Sequence, residues 1–359
     1  MNKRDKKVRV GIIGVGHLGK HHVKHLVTIG HVKCIGLYDI DESRAMVIAN
    51  KYNVKAYDSL EALLSECDAV TIVTPTETHF KVASDCLTAR KHIFIEKPIT
   101  KTVAEAERLL TLANTNKVLI QVGHIERLNP ALIPLKNYSI SPKYIEIQRL
   151  APYDVRGTDV PVVLDKMIHD IDILLSLVNS EVESINANGI SILTDSVDIA
   201  NARIRFKNGT IANITSSRVA QDHVRKTKMF QQDLYITIDF LLGLTEIYRV
   251  LDPEEPDANA IQDVPFHYGG KAKRIVYEKP DLPSFDALKA ELENFTNSVK
   301  GSATPIVDGQ AGKNALELAT NIYDLILEDL HLLGFFDHLS ALVLLGSAAH
   351  EDLRSDDRA

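Results

Sequence analysis

Val8-Arg-Val-Gly-Ile-Ile13 followed by Gly14-Val-Gly16-His17-Leu18-Gly19 decides the fold of this chain. The first part is almost wholly apolar, as a parallel strand covered on both faces must be. A helix is expected to follow, and at the junction lies a GxGxxG turn. That spacing has a physical purpose at a strand-to-helix junction. Gly14 permits the tight turn, Gly16 lets a pyrophosphate approach the backbone, and Gly19 lets the helix pack closely on the strand. The helix N-terminus favours the phosphate charge. His17 and Leu18 fill the positions between and are expected beside the same ligand.

Further along, Val32–Tyr38 reads as a second strand, and it ends at Asp39. A carboxylate there accepts hydrogen bonds from the adenine-ribose hydroxyls and repels a 2′-phosphate. Ile40, Asp41 and Glu42 offer no basic group, so NAD is expected over NADP. The alternative role for Asp39 is to cap the following helix. Ala69–Val73, His92–Ile95 and Leu119–Gly123 continue the series of short apolar strands. Helical stretches alternate with them: Leu60–Leu64, opened by the box-like Asp58-Ser-Leu-Glu61, and Val103–Ala113. This alternation predicts a doubly wound α/β Rossmann domain over residues 1–123.

Beyond Gly123 strands follow one another without intervening helices, which predicts an α+β domain with a mostly antiparallel open sheet over residues 124–330. Asp198–Phe206 and Thr210–Ser217 flank Asn208-Gly209, the preferred two-residue hairpin turn. Leu234–Asp239 and Leu244–Val250 read as further strands, and Asp252–Asp263 as a Pro- and acid-rich loop. Helices are expected over Val163–Val178, Phe285–Val299 and Gly309–Leu327, the second burying Phe285, Leu288, Leu292 and Phe295 on one face. Residues 331–359 read as a C-terminal extension.

The composition narrows the partners. With 45% hydrophobic and 25% charged residues over 359 positions, the chain can bury two cores. A net charge of −7, with no basic block beyond Lys3–Lys7, argues against nucleic acid. Cys34, Cys67 and Cys86 form no CxxC pair, so no disulfide framework and no metal site is expected, and a reducing cytoplasm suits them. The polar start is no signal peptide, and Leu339–Ala349 falls short of the ~20 apolar residues of a membrane span.

Chemistry is expected at three further places. Thr74-Pro75-Thr76-Glu-Thr-His79 and Glu96-Lys97-Pro98 each follow a strand, at the edge where open α/β sheets bind ligands. Lys97 can reach a substrate hydroxyl from there. Asp165 and His169 lie four apart in a helical stretch, so the carboxylate is expected to orient the imidazole while that imidazole takes a proton. Hydride removal from an alcohol needs such a base.

These four motifs, in this order, resemble the glucose-fructose oxidoreductase, inositol dehydrogenase and rhizopine-catabolism (Gfo/Idh/MocA) family over roughly residues 7–328. The resemblance implies that Lys97 lies beside the nicotinamide and substrate, and that His169, with Asp165, is the acid/base. It also implies that Thr74, Pro75, His79 and Glu96 sit at the cofactor, and that the protein is a homodimer or homotetramer. Thr76 stands where many members have Asn. Gly123-His-Ile-Glu-Arg127-Leu-Asn129-Pro130 and Val163–Asp172 further resemble the branch that oxidises the 3-hydroxyl of UDP-N-acetylglucosamine-type sugars, with Leu128 and Lys166 as departures. Arg127, Asn129 and Arg156 are then expected to contact the sugar or its diphosphate. The expected activity is that of an NAD-dependent sugar dehydrogenase, whose alternatives are a reductase of a keto-sugar or other cyclic carbonyl and a non-catalytic dinucleotide-binding module.

Overall fold

The computed structural model describes residues 7–154, 160–257, 259–282 and 286–332. Arg156, Phe285 and the chain after 332 lie outside these, as do Lys3 and Lys6. The N-terminal sheet is parallel throughout. Its strands are β1 (Val8–Ile13), β2 (Val32–Tyr38), β3 (Lys55–Ala56), β4 (Ala69–Ile72), β5 (His92–Glu96) and β6 (Ile120–Gly123), in the order β3-β2-β1-β4-β5-β6. The helices between them are α1 (Gly19–Leu26), α2 (Glu42–Tyr52), α3 (Leu60–Glu66), α4 (Thr76–Thr88) and α5 (Val103–Asn116). The winding direction reverses between β1 and β4, which opens a crevice at their carboxyl ends. Helix caps differ from the sequence reading. Ser59, not Asp58, caps α3 by accepting from the Ala62 N–H, and the reciprocal capping box lies at α5, between Thr102 and Glu105.

The second sheet has nine strands: β7 (Tyr144–Leu150), β8 (Val182–Ile190), β9 (Ile199–Phe206), β10 (Ile211–Ser217), β11 (Val224–Gln231), β12 (Leu234–Asp239), β13 (Leu244–Leu251), β14 (Gln262–Tyr268) and β15 (Lys271–Glu278). Their order is β14-β15-β13-β12-β11-β7-β10-β9-β8, and every neighbouring pair is antiparallel except β7–β10. The sequence reading missed β7, β8, β11, β14 and β15. Strands such as Val224-Arg-Lys-Thr-Lys-Met-Phe-Gln231 carry few apolar residues because only one face is covered. Gln262 and Asp263, expected in a loop, begin the edge strand β14, where Pro265 is tolerated.

The inner face of this sheet presents Ile145, Ile147, Ile204, Ile214 and Ile236 to helices α6 (Ile168–Leu177) and α8 (Gly309–Leu332). On the outer face Tyr144, Phe230, Tyr235, Tyr248 and Tyr277 form a ladder, with successive ring centroids 5.9, 4.5, 5.5 and 4.9 Å apart. Helix α7 (Ala287–Val299) returns to the first sheet, where Leu292 and Phe295 are buried with Val8, Val10 and Phe94. Among the described residues no helix is long and apolar enough to cross a membrane.

Candidate functional site

The crevice at the carboxyl end of the parallel sheet holds a cavity of about 500 Å³. Gly14, Gly16, His17, Leu18, Asp39, Thr74, Pro75, Glu96 and Lys97 line it, together with Tyr38, Ile40 and Arg44. The three glycines divide their roles. Gly14 has φ +84°, and a Cβ there would lie 2.7 Å from the Val73 carbonyl oxygen. A Cβ on Gly19 would lie 2.0 Å from the Gly14 carbonyl oxygen, so Gly19 serves the packing of α1 and does not face the cavity. Gly16 has nothing within 4 Å of its missing Cβ, which leaves open space where a pyrophosphate would meet the backbone. These residues fit a dinucleotide.

Asp39 is buried, and its two oxygens accept from the N–H groups of Val15 (2.8 Å) and Asp41 (2.9 Å). It thereby clamps the glycine turn to the end of β2. The cap of α2 is Asp41, which accepts from Arg44 N at 2.9 Å. One expectation needs correcting: a basic group is present. The half-exposed Arg44 lies 3.5 Å from Asp39 and 2.9 Å from Asp41. Its place at the third helical position, with side chains leaning back toward the helix N-terminus, carries it over Asp39. His79 is also not on the cavity wall. Its buried ring lies 2.9 Å from both the Pro98 and the Thr74 carbonyl oxygens and ties the loops after β4 and β5 together.

Lys97, preceding a cis peptide bond to Pro98, points its ammonium at the second domain. It donates to the Asp165 carbonyl oxygen at 2.8 Å and lies 3.4 Å from the Asp165 carboxylate. Here the structure corrects the sequence reading. Val163–Met167 forms a π turn, wider than an α turn, so a four-residue spacing no longer stacks two side chains. The Asp165 carboxylate lies between Lys97 and Lys166, with no hydrogen bond to His169 among the described residues. It positions the lysine instead of the histidine.

The Nδ1 of His169 is buried without a partner among the described residues, and its ring stands edge-on to His124 at 6.2 Å between centroids. Burial, followed by the positive charges of Lys97 and Arg149, holds its pKa well below the ordinary imidazole value. The ring is therefore neutral near pH 7, the form a general base requires.

Two of the expected substrate residues, Arg127 and Asn129, already have partners within the protein. Arg127 makes two 2.8 Å hydrogen bonds to the buried carboxylate of Asp172. Asn129 caps the next turn by accepting from Ala131 N, and donates to Glu126 and to the Phe240 carbonyl oxygen.

Sequence reading missed two buried polar groups. Arg149 grips Asp170 at 2.7 and 2.9 Å and Glu126 at 3.1 Å, and Arg225 also meets Glu126 at 3.1 Å. Arg149 shares the inward parity of Ile145 and Ile147, a signal available only once β7 is known as a strand. Behind the cavity, Glu96 lies 3.2 Å from His22 in space that a side chain on Gly123 would fill. Glu291, from α7, is fully buried there with neither carboxyl oxygen hydrogen-bonded. Desolvation and the charges of Glu96 and Asp172 push its pKa well above the carboxylate range, which favours the neutral acid. No cluster of three metal-ligating side chains occurs among the described residues.

Comparison with known proteins agrees with this geometry. Residues 8–124 match an oxidoreductase family with an NAD-binding Rossmann fold, and residues 154–237 match the C-terminal domain of the same family. The chain is 37% identical over 316 residues to UDP-N-acetylglucosamine 3-dehydrogenase of Acidithiobacillus ferrooxidans, spanning 88% of this chain and 96% of that one. It is 28% identical to myo-inositol 2-dehydrogenase of Thermotoga maritima over 87% of this chain and 94% of that one. A solved structure of the Acidithiobacillus enzyme, 36% identical, superposes with a TM-score of 0.79 over 89% of this chain and 98% of that chain.

Proposed function

The chain belongs to the Gfo/Idh/MocA oxidoreductase family, with an NAD-binding Rossmann fold, and from that premise we propose that it oxidises the 3-hydroxyl of a UDP-N-acetylglucosamine-type nucleotide sugar. The observation that carries the reading is that Lys97, on the cavity wall, bonds Asp165 and lies close enough to His169 for its charge to act on that ring, in a chain so similar to a dehydrogenase of that substrate. In this reading residues 1–123 hold the cofactor, residues 124–330 present the substrate and residues 331–359 are an extension.

NAD held on Gly14, Gly16 and Asp39 would supply the hydride acceptor. Lys97, steadied by the carbonyl and carboxylate of Asp165, donates to the reacting hydroxyl oxygen and stabilises the alkoxide character that develops there. Neutral His169 takes the hydroxyl proton. The cation beside it opposes the imidazolium that results, which favours release of that proton to solvent after turnover. The aromatic ladder on the outer sheet face supports a homodimer or homotetramer joined there, and three free cysteines support a cytoplasmic location.

The test is NADH formation at 340 nm with UDP-N-acetylglucosamine, free N-acetylglucosamine, glucose and myo-inositol. Turnover of the UDP-sugar alone is expected. Turnover confined to free sugars or polyols would remove the nucleotide sugar while leaving an NAD-dependent dehydrogenase.

A further inference from the structure

The cations around His169 are not equally available. Arg127 is committed to Asp172 by two hydrogen bonds, and Arg149, almost wholly buried, is committed to Asp170 and Glu126. Lys97 is held by Asp165. Arg225 differs from all three. Its side chain is 41% exposed, and one contact to Glu126 at 3.1 Å engages a single donor, on an oxygen that Arg149 also occupies. A guanidinium carries five N–H donors, so most of this fork is unused.

Its location follows from the sheet. Arg225 stands directly opposite Arg149 in the β11–β7 register and shares the inward parity of the buried Thr227 and Met229. It therefore faces the α6 side of the sheet, where His169 lies, and its charge contributes to the depressed basicity of that ring. Two arginines in cross-strand register repel each other, and Glu126 between them offsets that repulsion. With Asp170, the group of four carries no net charge. Its exposed member can turn toward a second anion while Glu126 stays neutralised by Arg149.

We propose that Arg225 is the residue that receives the diphosphate of the substrate, the role that sequence reading gave to Arg127. The inference rests on the nucleotide-sugar reading above. A planar fork with free donors, at the rim of the catalytic region, matches two adjacent phosphates better than a point charge would.

Calorimetric titration of the NADH-loaded protein with UDP and with UDP-N-acetylglucosamine tests this. Arg225→Gln is expected to raise Kd for both by about 10- to 100-fold, the size of a lost charge-assisted hydrogen-bond pair, with NADH affinity unchanged. Arg225→Lys, which keeps the charge and the fold but loses the fork, should fall between. Lys228→Ala, on the outer face of the same strand beside Glu146, is expected to change neither. Wild-type-like UDP affinity in a folded Arg225→Gln or Arg225→Lys protein would overturn the inference and leave the substrate class standing. If the wild-type protein binds neither UDP compound, the substrate class falls, and the inference with it.

Discussion

The two halves of the site are built by different means. At the cofactor end, function resides in the backbone: glycine conformation, a carboxylate at a strand end and open space at Gly16, all within 32 residues from Val8 to Asp39. At the other end it resides in side chains drawn from the turns after β5 and β6, the π turn, β7, α6 and β11, whose charges pair across distances of up to 99 residues in sequence. The first kind of site is fixed by local sterics and tolerates few substitutions. The second is an electrostatic arrangement in which one partner can change roles, as Asp165 does by holding Lys97 instead of His169.

Replacing His169 should give the largest effect, if proton transfer belongs to the second region alone. His169→Ala is expected to lower kcat by about 100-fold or more, the size of a lost general base, with NADH affinity retained. Near-normal turnover in steady-state assays would make the residue structural. Gly19→Ala tests the opposite region. Its Cβ would meet the Gly14 carbonyl oxygen at 2.0 Å, so thermal unfolding should show a loss of about 1–3 kcal/mol or more, together with weak NADH binding. Gly16→Ala should spare the melting temperature and weaken only NADH, because its Cβ meets no protein atom. Equal melting losses in the two variants would erase the distinction between packing glycine and ligand glycine.

A smaller effect is expected where a side chain intrudes on the backbone-built end. Asp39→Ala should improve NADP affinity relative to NAD by roughly tenfold, because it removes the carboxylate that repels a 2′-phosphate and one of the two acids beside Arg44. Asp39→Ala/Arg44→Ala should lose that gain, as fluorescence titration with both reduced cofactors would show. An unaltered NADP affinity in the double variant would exclude Arg44 from the ribose end.

The mildest effect concerns the buried acid of α7. The folded-state pKa of Glu291 lies above its unfolded value of about 4.3, so the folded state binds more protons and stability declines as pH rises between the two. Glu291→Gln should melt at nearly the wild-type temperature at pH 4 and a few degrees above it at pH 8. A constant difference across that range would show that Glu291 does not change protonation on unfolding.

The contrast between the regions also explains what was legible. Strands β1, β2, β4, β5 and β6 are visible as apolar runs because both faces are covered. Strands β11 and β15 are not, because lysines (Lys226, Lys228, Lys271 and Lys273) interrupt their apolar residues, and β14 is an edge strand that carries Asp263, Pro265 and His267. The four-residue spacing of Asp165 and His169 predicted a contact that the structure does not make, since a π turn cannot be told from an α turn by composition. Arg44, Arg149, Arg225 and Glu291 carried no motif at all.

By itself, the sequence determined the parallel sheet, the glycine turn and the carboxylate at the end of β2, because each depends on residues within one strand–turn–helix unit, where backbone geometry follows from neighbouring residues. Only the tertiary structure decided which carboxylate holds which cation. Asp172 takes Arg127, Asp170 takes Arg149 and Asp165 takes Lys97 through contacts between distant elements, and Coulomb attraction depends on spatial separation and burial, which position along the chain does not encode.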